Sequence, residues 1–200
     1  MFVRVPDRFS YAVLLGLYLG DGIVAKVPRS FQLRLYFDDA YPGLVDDAEA
    51  MMQLVATDSN IHRSRDGRGH RMVILHSGWK RWPEFFPQYG PGRKHERPIV
   101  LAPWQQEIVD EHPWELLRGL LHSDGCRTIN RFKTTLPSGR VAEYAYPRWF
   151  FSNESADIRT IFTDTCEAVG LRWTQSNRRN ISVSHRRSVA LLDEHVGAKA

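Results

Sequence analysis

A short phrase that occurs twice limits what this chain can fold into more than any other feature. Leu14-Leu15-Gly16-Leu17-Tyr18-Leu19-Gly20-Asp21-Gly22 returns as Leu117-Arg118-Gly119-Leu120-Leu121-His122-Ser123-Asp124-Gly125. Both copies read as an apolar helix that ends in Asp-Gly. Each carries small residues four apart, Gly16 and Gly20 in the first and Gly119 and Ser123 in the second. Such a stripe lets two helix backbones approach closely. The two helices are therefore expected to pack at the centre of the core, with Asp21 and Asp124 side by side where they end.

That placement is electrostatically poor. A helix C-terminus already carries partial negative charge, and two neighbouring carboxylates repel, so that one tends to keep its proton. A divalent cation removes the penalty. Mg²⁺ takes carboxylate, water and phosphate oxygens, and the carbonyls of Gly20 and Ser123 are candidate further ligands. Paired acids with metal suit phosphodiester hydrolysis. A two-fold site suggests a two-fold substrate, and duplex DNA is the obvious one.

The rest of the chain repeats with the phrase. After the first copy the pattern predicts strands at 23–27 and 31–37, a helix opened by Pro42, a hairpin of 61–65 and 70–76 around Asp66-Gly67, and a short aromatic helix near 79–86. Trp79, Trp82, Phe85 and Phe86 of that helix read as core. Residues 95–112 read as a linker with some helix of its own. Pro113 opens the second copy. Strands at 126–135 and 140–151 follow, then a helix capped by Ser155 and closed at Gly170, a hairpin of 172–176 and 180–185, and a last helix over about 187–196. Ser10 is the expected N-cap of the first helix. Residue 21 to residue 94, and 124 to 199, are 73 and 75 positions, and both Lys94 and Lys199 follow a glycine by two. Each half alone has few apolar residues and is marginal. One pseudo-symmetric unit is expected, with a first half 1–94, a linker 95–112 and a second half 113–200.

Composition permits this reading. The chain has 200 residues, 42% of them hydrophobic, and a formal net charge of +4. No apolar run is long enough for a transmembrane span. Two cysteines, Cys126 and Cys166, are too few for a disulfide framework and suggest a cytoplasmic protein; Cys126 reads as a small packing residue. The basic residues are mostly arginine, which fits a GC-rich bacterial or phage genome. They cluster: Arg63, Arg65, Arg68 and Arg71 in one group, and Arg172, Arg178, Arg179, Arg186 and Arg187 in another. Such clusters supply phosphate affinity, and single arginines pair with guanine edges.

Both phrases resemble the signature of the LAGLIDADG homing endonucleases, and the resemblance covers nearly the whole chain. It implies an α+β fold of two αββαββα halves, with the signature helices at the centre and two antiparallel sheets forming a saddle over DNA. It implies that Asp21 and Asp124 bind metal, Mg²⁺ with Mn²⁺ able to substitute. It further implies that Lys94 and Lys199 stabilise charge, and that Asp39 and Asn153 order water. Outward sheet residues would contact DNA: Gln32 and Arg34 in the first half, Lys133 and Arg148 in the second, and the arginine clusters. The implied activity is that of a monomeric, site-specific double-strand endonuclease active in intron homing, with a long pseudo-palindromic DNA site. Two other readings use the same fold: an inactive sequence-specific DNA-binding regulator, and an intron RNA maturase. The sequence departs from the signature at Leu19 and His122, where an earlier Asp stands, and at Arg118, which replaces a small residue.

Overall fold

A computed structural model describes residues 3–65 and 71–199. Helix α1 spans Arg8–Asp21. It begins earlier than the Ser10 cap expected from sequence, because the Asp7 side chain accepts the Ser10 amide at 2.7 Å. Ser10 is itself buried inside the helix. Ten consecutive residues, Ser10 to Leu19, are buried, so α1 is enclosed on every side, as an all-round apolar helix must be.

The chain then forms β1 (Gly22–Val27), β2 (Ser30–Asp38), α2 (Pro42–Val55), β3 (Ile61–Arg65), β4 (Met72–Gly78) and the single turn α3 (Trp82–Phe85). The Asp66-Gly67 turn lies outside the described residues. After a 3₁₀ turn at Lys94–Glu96 come α4 (Pro103–Glu111) and α5 (Pro113–Asp124). The second set follows as β5 (Gly125–Thr135), β6 (Val141–Ser152), α6 (Ala156–Ala168), β7 (Thr174–Gln175), β8 (Asn180–Val183) and α7 (Arg186–His195). Ser155 caps α6, and Gly170 follows that helix with φ +72°, both as the sequence pattern predicts.

Each half builds one antiparallel four-stranded sheet, in the orders β1-β2-β4-β3 and β5-β6-β8-β7. The same order in both copies is the two-fold repeat at the level of topology. Helices cover one face of each sheet. Leu33, Leu35 and Phe37 of β2 and Leu75 of β4 are buried there, as are Trp149, Phe151, Ile181 and Val183 in the second half. Side chains alternate along a strand, so the other face carries Ile23, Gln32, Arg34, Ile74, His76 and His62 in the first sheet. In the second it carries Thr128, Asn130, Phe132, Tyr144, Tyr146 and Arg148.

A continuous apolar core runs through both halves and includes Leu14, Leu17, Leu117, Leu120, Phe85 and Phe162. The α1–α5 contact at its centre depends on missing side chains. A Cβ on Gly119 would sit 2.1 Å from the Val13 carbonyl oxygen, and one on Gly16 would sit 2.6 Å from that of Leu116. Those neighbours are backbone and cannot turn aside, so the two glycines are what permits the crossing.

The connection between the halves is built into the core. Gln105 of α4 donates to the buried Tyr11 hydroxyl at 2.7 Å, and that hydroxyl donates to the Phe85 carbonyl at 2.6 Å. Gln88 donates to Gln105 at 2.6 Å. The Ile99 amide is held by Asp157 of α6 at 2.8 Å. The segment is therefore tied to both halves.

Candidate metal and DNA site

The site is built from the ends of the two central helices. Gly20 stands against the second helix so closely that a Cβ on it would meet Ser123 Oγ at 2.1 Å and Asp124 Cγ at 3.2 Å. The last residue of each helix is its aspartate. Burial pushes Asp21 above the ordinary carboxylate range, against the pull of Lys94 and Lys199. Burial, and then the neighbouring Asp21 charge, push Asp124 up to about 6, opposed by Asn153 and the two lysines. The crowding expected from the repeat is present, and it holds both carboxyls above the ordinary range.

Lys94 and Lys199 come to this point, each to the end of its own half's helix. The Lys94 ammonium donates to the carbonyls of Tyr18, Leu19 and Gly20 at 2.5, 2.8 and 2.7 Å. Lys199 donates to the Ser123 carbonyl at 3.1 Å. The last carbonyls of a helix lack intrahelical partners, and an ammonium with three donors suits them. Burial lowers Lys94 to about 8, with Asp124 its strongest opposing charge. Burial also lowers Lys199, whose strongest opposing charge is Asp21. Each lysine is thus tied to the end of its own half's helix, and the charge of both opposes the raised proton affinity of both carboxylates. Gly92 and Gly197 both have positive φ, +75° and +72°. That left-handed turn, which favours glycine, precedes each lysine by two residues.

The two polar positions after the second strand of each half differ. Asn153 donates to Asp124 Oδ2 at 2.5 Å and accepts from the Ser155 amide at 2.8 Å. Asp39 holds the equivalent backbone place: its amide bonds the Arg71 carbonyl at 3.1 Å, as that of Asn153 bonds Arg179. Its carboxylate, however, accepts from Arg71 Nε at 3.0 Å. A carboxylate turned toward Asp21 would add a third negative charge, and the guanidinium draws it aside. A cleft of about 270 Å³ opens on the Asp124 side, lined by Gly20, Lys94, His95, Asp124, Asn153 and Glu154.

The donor set fits a divalent cation. Two carboxylates hold raised proton affinity through shared burial, and hard oxygen ligands are what Mg²⁺ or Mn²⁺ requires. The carbonyls of Gly20 and Ser123 are each engaged by a lysine, but a carbonyl oxygen has a second lone pair. No cluster of three His, Cys, Asp or Glu side chains occurs among the described residues.

The open sheet faces divide the basic residues predicted to contact DNA. Gln32, Arg34 and Arg148 lie on them. Arg34 Nε donates to Gln32 Oε1 at 2.7 Å, and Gln32 Nε2 meets His76 Nδ1 at 3.1 Å. The register places Arg63 and Arg65 on the opposite, helix-covered side of β3. There Arg63 pairs with Asp46 at 2.7 Å and with Glu49, both on α2. Lys133 likewise shares a face with Glu143, its ion-pair partner, away from Arg148. Arg178 and Arg179 are at the β7–β8 tip, where Arg179 pairs with Glu154 at 2.6 Å. Arg172 is exposed before β7, and Arg186 and Arg187 open α7. Arg68 lies outside the described residues. Cys126 is exposed rather than packed.

His62 and His76, which the sequence pattern places on strands and suits to hydrogen bonding or phosphate contact, have rings 5.5 Å apart on the open face. Sequence reasoning passed over Phe132, Tyr144 and Tyr146, whose rings stack in series at 5.3 and 5.9 Å. Strand parity was the available signal, since Arg34 and His76 are register partners, as are Phe132 and Tyr144.

Comparison with solved structures supports the fold. I-DmoI in complex with DNA and Mn superimposes with a TM-score of 0.62 at 14% identity, over 96% of this chain and 98% of that one. The LAGLIDADG meganuclease I-AabMI bound to uncleaved DNA gives 0.57 at 11% identity, over 92% and 83%. Full-length DUF199/WhiA from Thermatoga maritima gives 0.59 at 13% identity, and this chain spans 58% of it. No family model and no curated protein sequence matches. The chain therefore has the two-part, pseudo-symmetric fold of the LAGLIDADG homing endonucleases. No helix among the described residues is long and apolar enough to cross a membrane.

Proposed function

We propose that this protein is a site-specific, metal-dependent DNA endonuclease that cuts both strands of a long, imperfectly two-fold site. The observation that carries this reading is the pair of buried carboxylates at the crossing of α1 and α5, with a lysine bound at each helix end. A helix C-terminus gains nothing from an added negative charge, so a bound cation would relieve the two carboxylates buried there.

Asp21 and Asp124 would hold Mg²⁺, with Mn²⁺ as a substitute. The cation supplies Lewis acidity toward the phosphodiester and offsets the charge that develops during hydrolysis. Asn153 orients Asp124 by occupying Oδ2, which leaves Oδ1 for binding. Lys94 and Lys199 place positive charge where the leaving oxygen becomes anionic. Gln32, Arg34 and Arg148 face the duplex from the open sheets. The two halves present different side chains there, so the two half-sites should differ in sequence. One chain carries both halves and would act as a monomer, with residues 95–112 as the connection between 1–94 and 113–200.

The test is incubation with a randomised library of duplex targets in Mg²⁺ and, separately, in Ca²⁺. Recovered double-strand breaks in Mg²⁺ that drop at least about a thousandfold in Asp21→Asn or Asp124→Asn support the endonuclease; that drop is about 4 kcal/mol of barrier. Sequence-specific binding without cleavage in either Mg²⁺ or Mn²⁺ would instead make it a DNA-binding regulator. Preference for structured intron RNA would make it a maturase.

A further inference from the structure

Lys199 reaches the Ser123 carbonyl from a segment with no regular structure, beyond the end of α7. Its placement is decided by side chains of α5. Arg118 Nη2 donates to the His195 carbonyl at 2.8 Å. His122 Nε2 lies 3.3 Å from the Gly197 carbonyl. Trp114 stacks on the His195 ring, with centroids 4.2 Å apart and planes at 17°. Positions 114, 118 and 122 recur every fourth residue and so share one face of the helix. The Gly119 stripe of the same helix packs on α1. Between the anchors, Gly197 turns through φ +72° and its amide returns to the Leu192 carbonyl at 3.1 Å.

The first half solves the same problem differently. Arg97 donates to the carbonyls of Gln88 and Gly92 at 2.8 and 3.0 Å and so holds the loop that carries Lys94. Its helix positions equivalent to Arg118 and His122 are Leu15 and Leu19, both wholly buried. Two of the four departures of the second phrase from the first, Arg118 and His122, thus fall where main chain leading to a lysine must be gripped.

We infer that Arg118 and His122 are positioning residues, which hold residues 195–197 against α5 so that Lys199 is delivered to the two-aspartate site. The tail anchoring stands on geometry alone; its consequence for catalysis rests on the endonuclease reading above. The competing account is that Arg118 merely caps the C-terminus of α7.

Two measurements on the full chain decide it. The first is amide hydrogen exchange of residues 196–199 in Arg118→Ala, His122→Ala and Arg118→Lys. Loss of a charged hydrogen bond is worth roughly a tenfold or greater change, so exchange of the tail should speed up by about that factor in Arg118→Ala. Amides of α1 should be unaffected, and Arg118→Lys should recover part of the protection. The second is single-turnover cleavage in a double-mutant cycle. Arg118→Ala should lower the rate to the level of Lys199→Met, and the combined variant should be no slower than Lys199→Met alone. Unchanged exchange of the tail overturns the inference. Additive loss in the cycle overturns its catalytic part and leaves Arg118 as a helix cap. If the unaltered protein binds DNA but does not cleave it, the endonuclease reading fails, while the exchange measurement still decides the anchoring.

Discussion

The two halves share a backbone plan and differ in how they use it. In the first, β2 lies between β1 and β4, which pair with it along most of its length. In the second, β8 pairs with β6 only at Trp149–Ser152, and the remainder of β5 and β6 runs on as a two-stranded ribbon. An isolated ribbon is marginal in water. The stacked Phe132, Tyr144 and Tyr146 on one face are the cross-strand pairs that support it. The difference extends to the centre. Lys94 has three carbonyl partners and Lys199 has one. Asp124 is bonded by Asn153, whereas the equivalent Asp39 is drawn to Arg71. Pseudo-symmetry of backbone therefore does not carry over to the chemistry, and the two strands of a DNA substrate would meet unequal sites.

The helix crossing is where the halves depend on each other most, and disrupting it should have the largest effect. Gly119→Ala places a methyl 2.1 Å from the Val13 carbonyl oxygen. It should cost at least about 3 kcal/mol, at the upper end for overpacking against unyielding neighbours. Gly20→Ala meets Ser123 Oγ at 2.1 Å, which can rotate away, and Ser123 Cβ at 2.5 Å, which cannot, so it should also destabilise, with a loss in a urea titration below that of Gly119→Ala. Equal losses would show that the crossing is looser than described.

The lysines test the asymmetry itself. Lys94→Met should slow cleavage by roughly 10²-fold, as expected for a well-anchored electrostatic group. Lys199→Met should slow it by about tenfold or less. Nicking assays on supercoiled plasmid would separate the two strands, and identical effects on both would remove the claim that the halves are unequal.

Proton linkage offers a milder probe. Asp124 is raised to about 6 in the folded protein, above its unfolded value near 4. The folded state thus binds more protons in that window, and stability of the metal-free protein should fall as pH rises from about 4 to about 6, then level off. Asp124→Asn should reduce that slope, leaving the part contributed by Asp21, and stabilise the metal-free protein. Mg²⁺ should raise the melting temperature above pH 6 and much less at pH 5, because cation and proton compete for the same carboxylates. A melting temperature indifferent to Mg²⁺ at pH 8 would leave the metal site without support.

The smallest expected effects separate the two sheet faces. Arg34→Ala, on the open face, should weaken DNA binding and lower its salt dependence by about one counterion. Arg63→Ala should leave binding unchanged and cost under about 1 kcal/mol, since its ion pairs are largely exposed. The reverse outcome would mean that DNA meets the helix-covered side of β3.

Much of this was legible in the chain. The doubled phrase located α1 and α5, and Pro42, Pro113 and Ser155 marked helix starts where the structure has them. The glycine two residues before each lysine marked the same left-handed turn in both halves. Other features were readable and missed. Arg63 and Arg65 have the parity of Ile61, which packs against the core, and that alone assigns them to the covered side. Ser10 was a plausible cap, but Asp7 holds the place because its carboxylate accepts the Ser10 amide, a choice between two capping residues that the local pattern left open.

What the sequence by itself determined was the pairing: two helices with small residues at one spacing, two aspartates at their ends, and two lysines at matching distances. These are one-dimensional regularities, since helix periodicity and steric size are local properties. Only the tertiary structure decided which atoms those groups meet. The bond of Asn153 to Asp124, the diversion of Asp39 to Arg71 and the grip of Arg118 on the tail depend on contacts between residues from 29 to 77 positions apart. At such separations the partner is chosen by packing and by the cost of burying charge, neither of which any short stretch of chain contains.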